Sequence, residues 1–367
     1  MIGLPPLRRL NILNILLLLS ARLRFTNGFA PPKQIDANIN QLQNVKHVFS
    51  SKKLHEENRI VSTPMRGGGI LSAWPDPKSF SPDYQVDTYR IAVTIACTFF
   101  TWFAQRQYTN VMASSALTLI CSMCFDKHLG QAAFCGTFAG MGSFALVPTW
   151  QYALSLGALT SFLFEILIHQ KNYCLGIGGR LGATAFISSS IIAAVQGISP
   201  GVSLSSLTLD NLQKGTIISM AIWHAVGSVA TIVLREVGDD STAADPVRAS
   251  AVIGLIAALL VEDKSAALAI YGGSFVGMSL PSRLIHGILP GKLKEGSKVP
   301  SISLVGLLAS FAVSGLFGGI LHGVTIGLDW WSGGWGGKAG FCAFLGCLIF
   351  RGMRKVTGGS VAAAVAA

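Results

Sequence analysis

Between residues 89 and 354 the chain alternates apolar runs with short polar joins that hold most of the charges. The runs are about 16–20 residues long, and repeated runs of that length predict membrane-crossing α-helices. The first five cover 90–106, 110–125, 129–146, 150–168 and 180–197. The second five cover 216–235, 248–262, 265–281, 301–321 and 335–352. Segment 248–262 is short for a span and needs either extension or a thinned bilayer. The expected fold is an all-α polytopic membrane protein with about ten transmembrane helices.

The two sets of five resemble each other. Asp126-Lys127 returns as Asp263-Lys264, a shift of 137. At the same shift Gly136-Thr137-Phe138-Ala139-Gly140-Met141 returns as Gly273-Ser274-Phe275-Val276-Gly277-Met278. Positions 126 to 141 contain seven identities in sixteen. Later, Gly178-Gly179-Arg180-Leu181-Gly182 returns as Gly336-Gly337-Lys338-Ala339-Gly340, and Ala185-Phe186 as Ala343-Phe344, at a shift of 158. The 21 extra residues between the blocks fit the basic loop 282–300. This pattern predicts an internal duplication with membrane repeats at 85–200 and 213–355 and a tail at 356–367.

Five spans per half is odd, so the second half enters from the opposite side and the repeats are inverted. Charge agrees. With ten spans, the Lys and Arg residues from Arg90 onward divide 13 against 4 between the two sides. If 129–146 and 265–281 re-enter instead of crossing, the division falls to 11 against 6.

The chain has 367 residues, a mean hydropathy of +0.54 and 12% charged residues, where soluble domains hold about 25%. The net charge of +11 comes from a basic N-terminal stretch and loop cations, so it points to topology and away from nucleic acid. Six of the seven cysteines sit in or at the edge of apolar segments, and Cys174 is in a short loop. Cys121-Ser-Met-Cys124 has redox spacing but no second pair, which predicts ordinary buried thiols and no metal.

Residues 1–28 have the form of a signal peptide: Arg8 and Arg9 precede a short apolar core, Leu10 to Leu19. Gly28 followed by Phe29-Ala30-Pro31 resembles the bipartite plastid-targeting presequence of diatom-type algae. That resemblance implies a transit peptide behind Phe29, and 29–84 fits as a basic, Gly- and Pro-rich linker without an apolar run. It implies a plastid membrane, envelope or thylakoid. The alternative is a secretory-pathway membrane.

Candidate chemistry centres on the repeated motif. Gly136, Thr137, Gly140 and Met141, with Gly273, Ser274, Gly277 and Met278, support two readings. In one, the glycines pack helices closely. In the other, they break the helix near the midplane, and the hydroxyls and freed backbone bind a substrate, as in inverted-repeat transporters. Pro148 and Pro281 close both segments. Glu165, His224 and His322 are ionisable groups within spans, which default to a functional hypothesis; by the repeat register Glu165 and His322 fall near equivalent positions and would flank one cavity. Arg180 and Lys338, each opening a fifth span after two glycines, are read either as interfacial anchors or as anion binders at a pore mouth. Asp126 and Asp263 read as loop ion pairs, and Trp330, Trp331 and Trp335 as an interfacial belt.

No catalytic motif stands out, and no cofactor is expected. The expected function is transport or conduction of a small solute or ion at the interface of two inverted repeats. The expected partners are the lipid bilayer and that solute, with room for a homo-oligomer. The alternatives are a structural or assembly protein of plastid membranes and a membrane-embedded lipid-modifying enzyme.

Overall fold

Each of the ten apolar segments contains a helix, though the third and eighth leave the helix after Gly140 and Gly277. The structure, a computed structural model, describes residues 84–170, 174–201, 213–237, 245–285, 303–331 and 334–356. The signal-peptide and transit-peptide assignments lie outside these residues, as does most of the basic loop 282–300. Among the described residues the regular structure is all-helical.

The first half contains α1 (Tyr84–Ala104), α2 (Asn110–Cys124), α3 (Lys127–Gly140), α4 (Trp150–Leu163) and α5 (Arg180–Val195). The wider π-helical turn Phe164–Gln170 extends α4. The second half contains α6 (Lys214–Val237), α7 (Pro246–Leu260), α8 (Lys264–Gly277), the single-turn α9 (Pro281–Leu284), α10 (Leu304–Gly327) and α11 (Lys338–Val356). Three stretches, Trp150–Ile168, Lys214–Arg235 and Leu304–Gly327, are long and apolar enough to cross a membrane. Asn110–Cys124, Arg180–Val195 and Pro246–Leu260 are shorter apolar helices. At 14 residues, α3 and α8 are each about 21 Å long, well short of a bilayer core.

The surface and interior differ from those of a soluble bundle. Phe100, Phe162, Ile218 and Ile222 are more than half exposed. The interior is lined with small and hydroxylic residues such as Thr94, Thr98, Ser114, Ser228 and Ser314. Tight helix contacts at these residues join a large apolar core in holding the interior together.

Packing in one half has a counterpart in the other. In the first half α1 lies against α3 and α4; in the second, α6 lies against α8 and α10. Helices α2 and α3 pair as α7 and α8 do, and α3 and α5 as α8 and α11 do. Between the halves, α2 packs on α7 and α5 on α11. Helix starts match as well. Asp126 caps α3 by accepting from the Leu129 N–H, and Asp263 caps α8 by accepting from the Ser265 N–H, each at 2.8 Å. The two aspartates are therefore helix caps; the ion-pair expectation is corrected.

A third register, carried in the sequence by little more than Thr101 and Thr231, relates α1 to α6 at a shift of 130. A Cβ on Gly140 would meet the Thr98 carbonyl oxygen and the Thr101 side chain; one on Gly277 would meet the Ser228 carbonyl oxygen and the Thr231 side chain. Gly157 presses on Ile95 as Gly315 presses on Ala225, with 2.9 Å from the would-be Cβ to the neighbour's Cα in both cases. Gln105 donates to the Gly140 and Gly142 carbonyls, and Arg235 donates to those of Gly277 and Ser279 at 2.7 and 2.9 Å. In each half, one side chain satisfies the carbonyls left bare where the short helix ends.

Two cations counted above as loop charges are interior. Arg90 is 2% exposed and Arg235 9%. They hold the fold together, so the 13 against 4 division overstates what charge says about orientation.

Candidate functional site

The centre of the molecule is a four-ring cluster. Helices α3 and α8 carry Phe134, Phe138, Tyr271 and Phe275, all buried, and every pair of rings is in contact. Phe138 and Phe275 meet edge to face, 4.5 Å between centroids at 77°. Phe134 to Phe138 and Tyr271 to Phe275 are the matching pairs within each half, at 4.4 and 5.1 Å. The Tyr271 hydroxyl lies 3.2 Å from that of Ser114 on α2.

Two cavities meet at this cluster. The first, of about 270 Å³, lies among Phe138, Met141, Tyr271, His322, the tryptophans of the α10–α11 loop and Lys338. The second, of about 240 Å³, lies among Phe134, Met278, Lys127, Gln131, Arg180 and Asp245. Phe138 and Phe275 line both. The linings correspond through the repeat register: Phe138 to Phe275, Met141 to Met278, Gly337-Lys338 to Gly179-Arg180.

Each cavity has a helix start at its wall. Gly179 and Gly337 take left-handed φ angles of 79° and 83°, which lets the chain turn into α5 and α11 at no steric cost. The two starts press on each other. A Cβ on Gly182 would sit 2.7 Å from the Gly340 Cα, and one on Gly340 would sit 2.8 Å from the Gly182 Cα. Two backbone bonds repeat the same logic: Ser143 N–H to Gly334 O at 2.7 Å, and Leu280 N–H to Gly176 O at 2.8 Å.

The residues singled out from sequence divide into groups. Met141 and Met278 line the first and second cavities respectively. Gly136, Gly140, Gly273 and Gly277 lie against α1 and α6, where backbones approach. The Thr137 hydroxyl is buried between Thr118 (2.8 Å) and the Phe134 carbonyl (2.9 Å); that of Ser274 lies between Ser250 and the Tyr271 carbonyl, both at 2.6 Å. Neither residue lines either of the two cavities. Glu165, in the π-helical turn, grips Arg90 with both oxygens at 2.8 and 3.0 Å and lines neither cavity. His322 lines the first cavity, and its Nδ1 is 3.0 Å from Nε2 of the fully buried His224. The structure thus joins His322 to His224 and separates both from Glu165.

Arg180 and Lys338 line the cavities instead of reaching out as surface anchors. Lys338 donates to the Trp330 carbonyl at 2.6 Å. Trp330, Trp331 and Trp335 also line the first cavity, with Trp331 5.2 Å from Phe186, so they form a wall and not a surface belt. Sequence reasoning passed over the ring cluster, although Phe138 and Phe275 sit inside the repeated motif and Phe134 and Tyr271 share its shift of 137. No protein-family model, curated protein or solved structure matches this chain.

Proposed function

We propose that the protein is a membrane transporter or channel for a small solute or ion, built from two inverted five-helix repeats that cross the bilayer ten times. The observation that carries this reading is the pair of corresponding cavities meeting at Phe138 and Phe275. In an inverted arrangement the two cavities open to opposite sides, and the four rings are the barrier between them. Such a layout suits alternating access or a gated pore, because two related halves frame one midplane barrier. The matched helix contacts, the equivalent caps and the reciprocal Gly182–Gly340 approach support the duplication. The presequence resemblance supports a plastid membrane as the location.

The test is purification and reconstitution into liposomes, followed by solute-induced swelling and by current across planar bilayers. Wild-type protein should pass at least one small solute or ion above empty liposomes. Replacing both Phe138 and Phe275 with Ala thins the barrier and should raise the leak. Liposomes that stay tight with both proteins, each verified as folded and inserted, refute transport and favour the structural or assembly role.

A further inference from the structure

The first cavity gathers more hydrogen-bond donors than the described residues around it accept. His322 is 2% exposed and lines the cavity, and among the described residues only its Nδ1 is engaged, by His224 Nε2. The shared proton decides what His322 presents. If it sat on His322, His224 would carry its own proton on Nδ1, which is buried without a partner among the described residues. An orphaned buried N–H is rarer and costlier than a bare acceptor. The proton therefore belongs to His224 Nε2, and His322 turns an Nε2–H toward the cavity. The Trp330 indole N–H, also in this wall, is buried without a partner among the described residues. Lys338 has three N–H bonds and spends them on two backbone carbonyls, one at 3.4 Å. The first turn of α11 opens on the same space at Ala339 and Gly340, where backbone N–H groups lack an intrahelical acceptor. Among the described lining residues the one acid is Asp329, which is exposed and close enough to act electrostatically on Lys338 without taking up its N–H groups.

We infer that this cavity is a binding site for a small anion, an inorganic oxyanion or a short carboxylate, held by Lys338, the His322 and Trp330 N–H groups and the start of α11. The inference deepens the transport reading and rests on it for its consequence, an anion-selective path. Binding itself is measured separately from flux.

The probe is inorganic phosphate. It is titrated against protein in nanodiscs of pure phosphatidylcholine at constant ionic strength, with tryptophan fluorescence as the readout and sodium HEPES as the non-binding control. Wild-type protein should show a saturable change that HEPES does not produce. Lys338→Gln and Trp330→Phe should weaken it at least tenfold, and His322→Phe, which installs the residue found at the equivalent Phe164, should do the same. Lys338→Arg, matching Arg180, should retain it and reports that the site still folds. No saturable change in wild-type protein overturns the inference, as does equal affinity in every variant. A response that needs phosphatidylglycerol in the disc assigns the site to a lipid headgroup and also overturns it. In bilayers under a potassium chloride gradient, the reversal potential should move toward the chloride equilibrium value. A cation-selective current overturns the anion site and leaves transport standing. Saturable phosphate binding with tight liposomes does the reverse.

Discussion

The Arg90–Glu165 pair offers the sharpest test of how the interior is held. Arg90 is 2% exposed and Glu165 8%, and both carboxylate oxygens are engaged, by Nε at 2.8 Å and Nη2 at 3.0 Å. Removing one member of a buried pair leaves an uncompensated charge and costs about 3–5 kcal/mol. Glu165→Ala should fall at the low end, about 3 kcal/mol, because Asp87 still contacts Arg90 from a position 21% exposed. Arg90→Met should approach about 5 kcal/mol, since Glu165 then has no cation. The double variant is the informative one. At the equivalent places in the second half the chain carries Met220, 3% exposed, and Gly323, which packs on Ile217, so neither place holds a charge. Arg90→Met with Glu165→Ala imitates it and should lose less than either single change, because replacing a buried pair wholesale with apolar groups is close to neutral. The assay is reversible unfolding in mixed micelles with rising dodecyl sulfate, followed by helix content. Losses that simply add in the double variant, near 8 kcal/mol from the two figures above, would refute the idea that burial makes these charges interdependent.

Three further outcomes are expected. Thr137→Val with Ser274→Ala removes two buried hydroxyls engaged with other side chains and the backbone, so flux should match wild type and stability should drop by about 0.6 kcal/mol per bond; loss of flux from a folded double variant would restore the hydroxyls as substrate ligands. Arg235→Gln should be tolerated because Gln105 fills the same role in the other half, whereas Arg235→Leu strands two carbonyls and should cost about 1–3 kcal/mol each, read in the same unfolding assay. Single cysteines placed at Lys127 and Lys264, in a cysteine-free background, should label from opposite sides of the membrane, and labelling from one side would exclude inverted repeats.

Much of the architecture could be read from the sequence because it rests on identity. Glycines at 136, 140, 273 and 277 cannot be exchanged where a Cβ has no room, so they persist as visible matches. The α1–α6 relation was hidden because it mostly conserves position without residue type: Thr101 matches Thr231, but His224 corresponds to Thr94, Ser228 to Thr98 and Arg235 to Gln105. A hydroxyl, an imidazole and an amide can all sit against the same neighbouring backbone. Arg90 looked like a loop cation because its partner is 75 residues away. The roles of Asp126 and Asp263 could have been read correctly, since an aspartate immediately before a helix start is a cap before it is an ion pair. The cavities were not legible at all. They arise where α3 and α8 end short and where Gly179 and Gly337 redirect the chain, and no local pattern announces the space left over.

The mutual approach of Gly182 and Gly340 has a consequence for how this chain could change over time. Each residue is the other's obstacle, with would-be Cβ distances of 2.7 and 2.8 Å to the opposing Cα. In a symmetric homodimer one substitution appears twice and a self-mating contact must accept both copies at once. Here the copies are covalently joined and free to mutate singly, yet either glycine alone blocks growth of the other. The two halves are thus bound to change in step at this point, while elsewhere, at Arg90 and Met220, they differ.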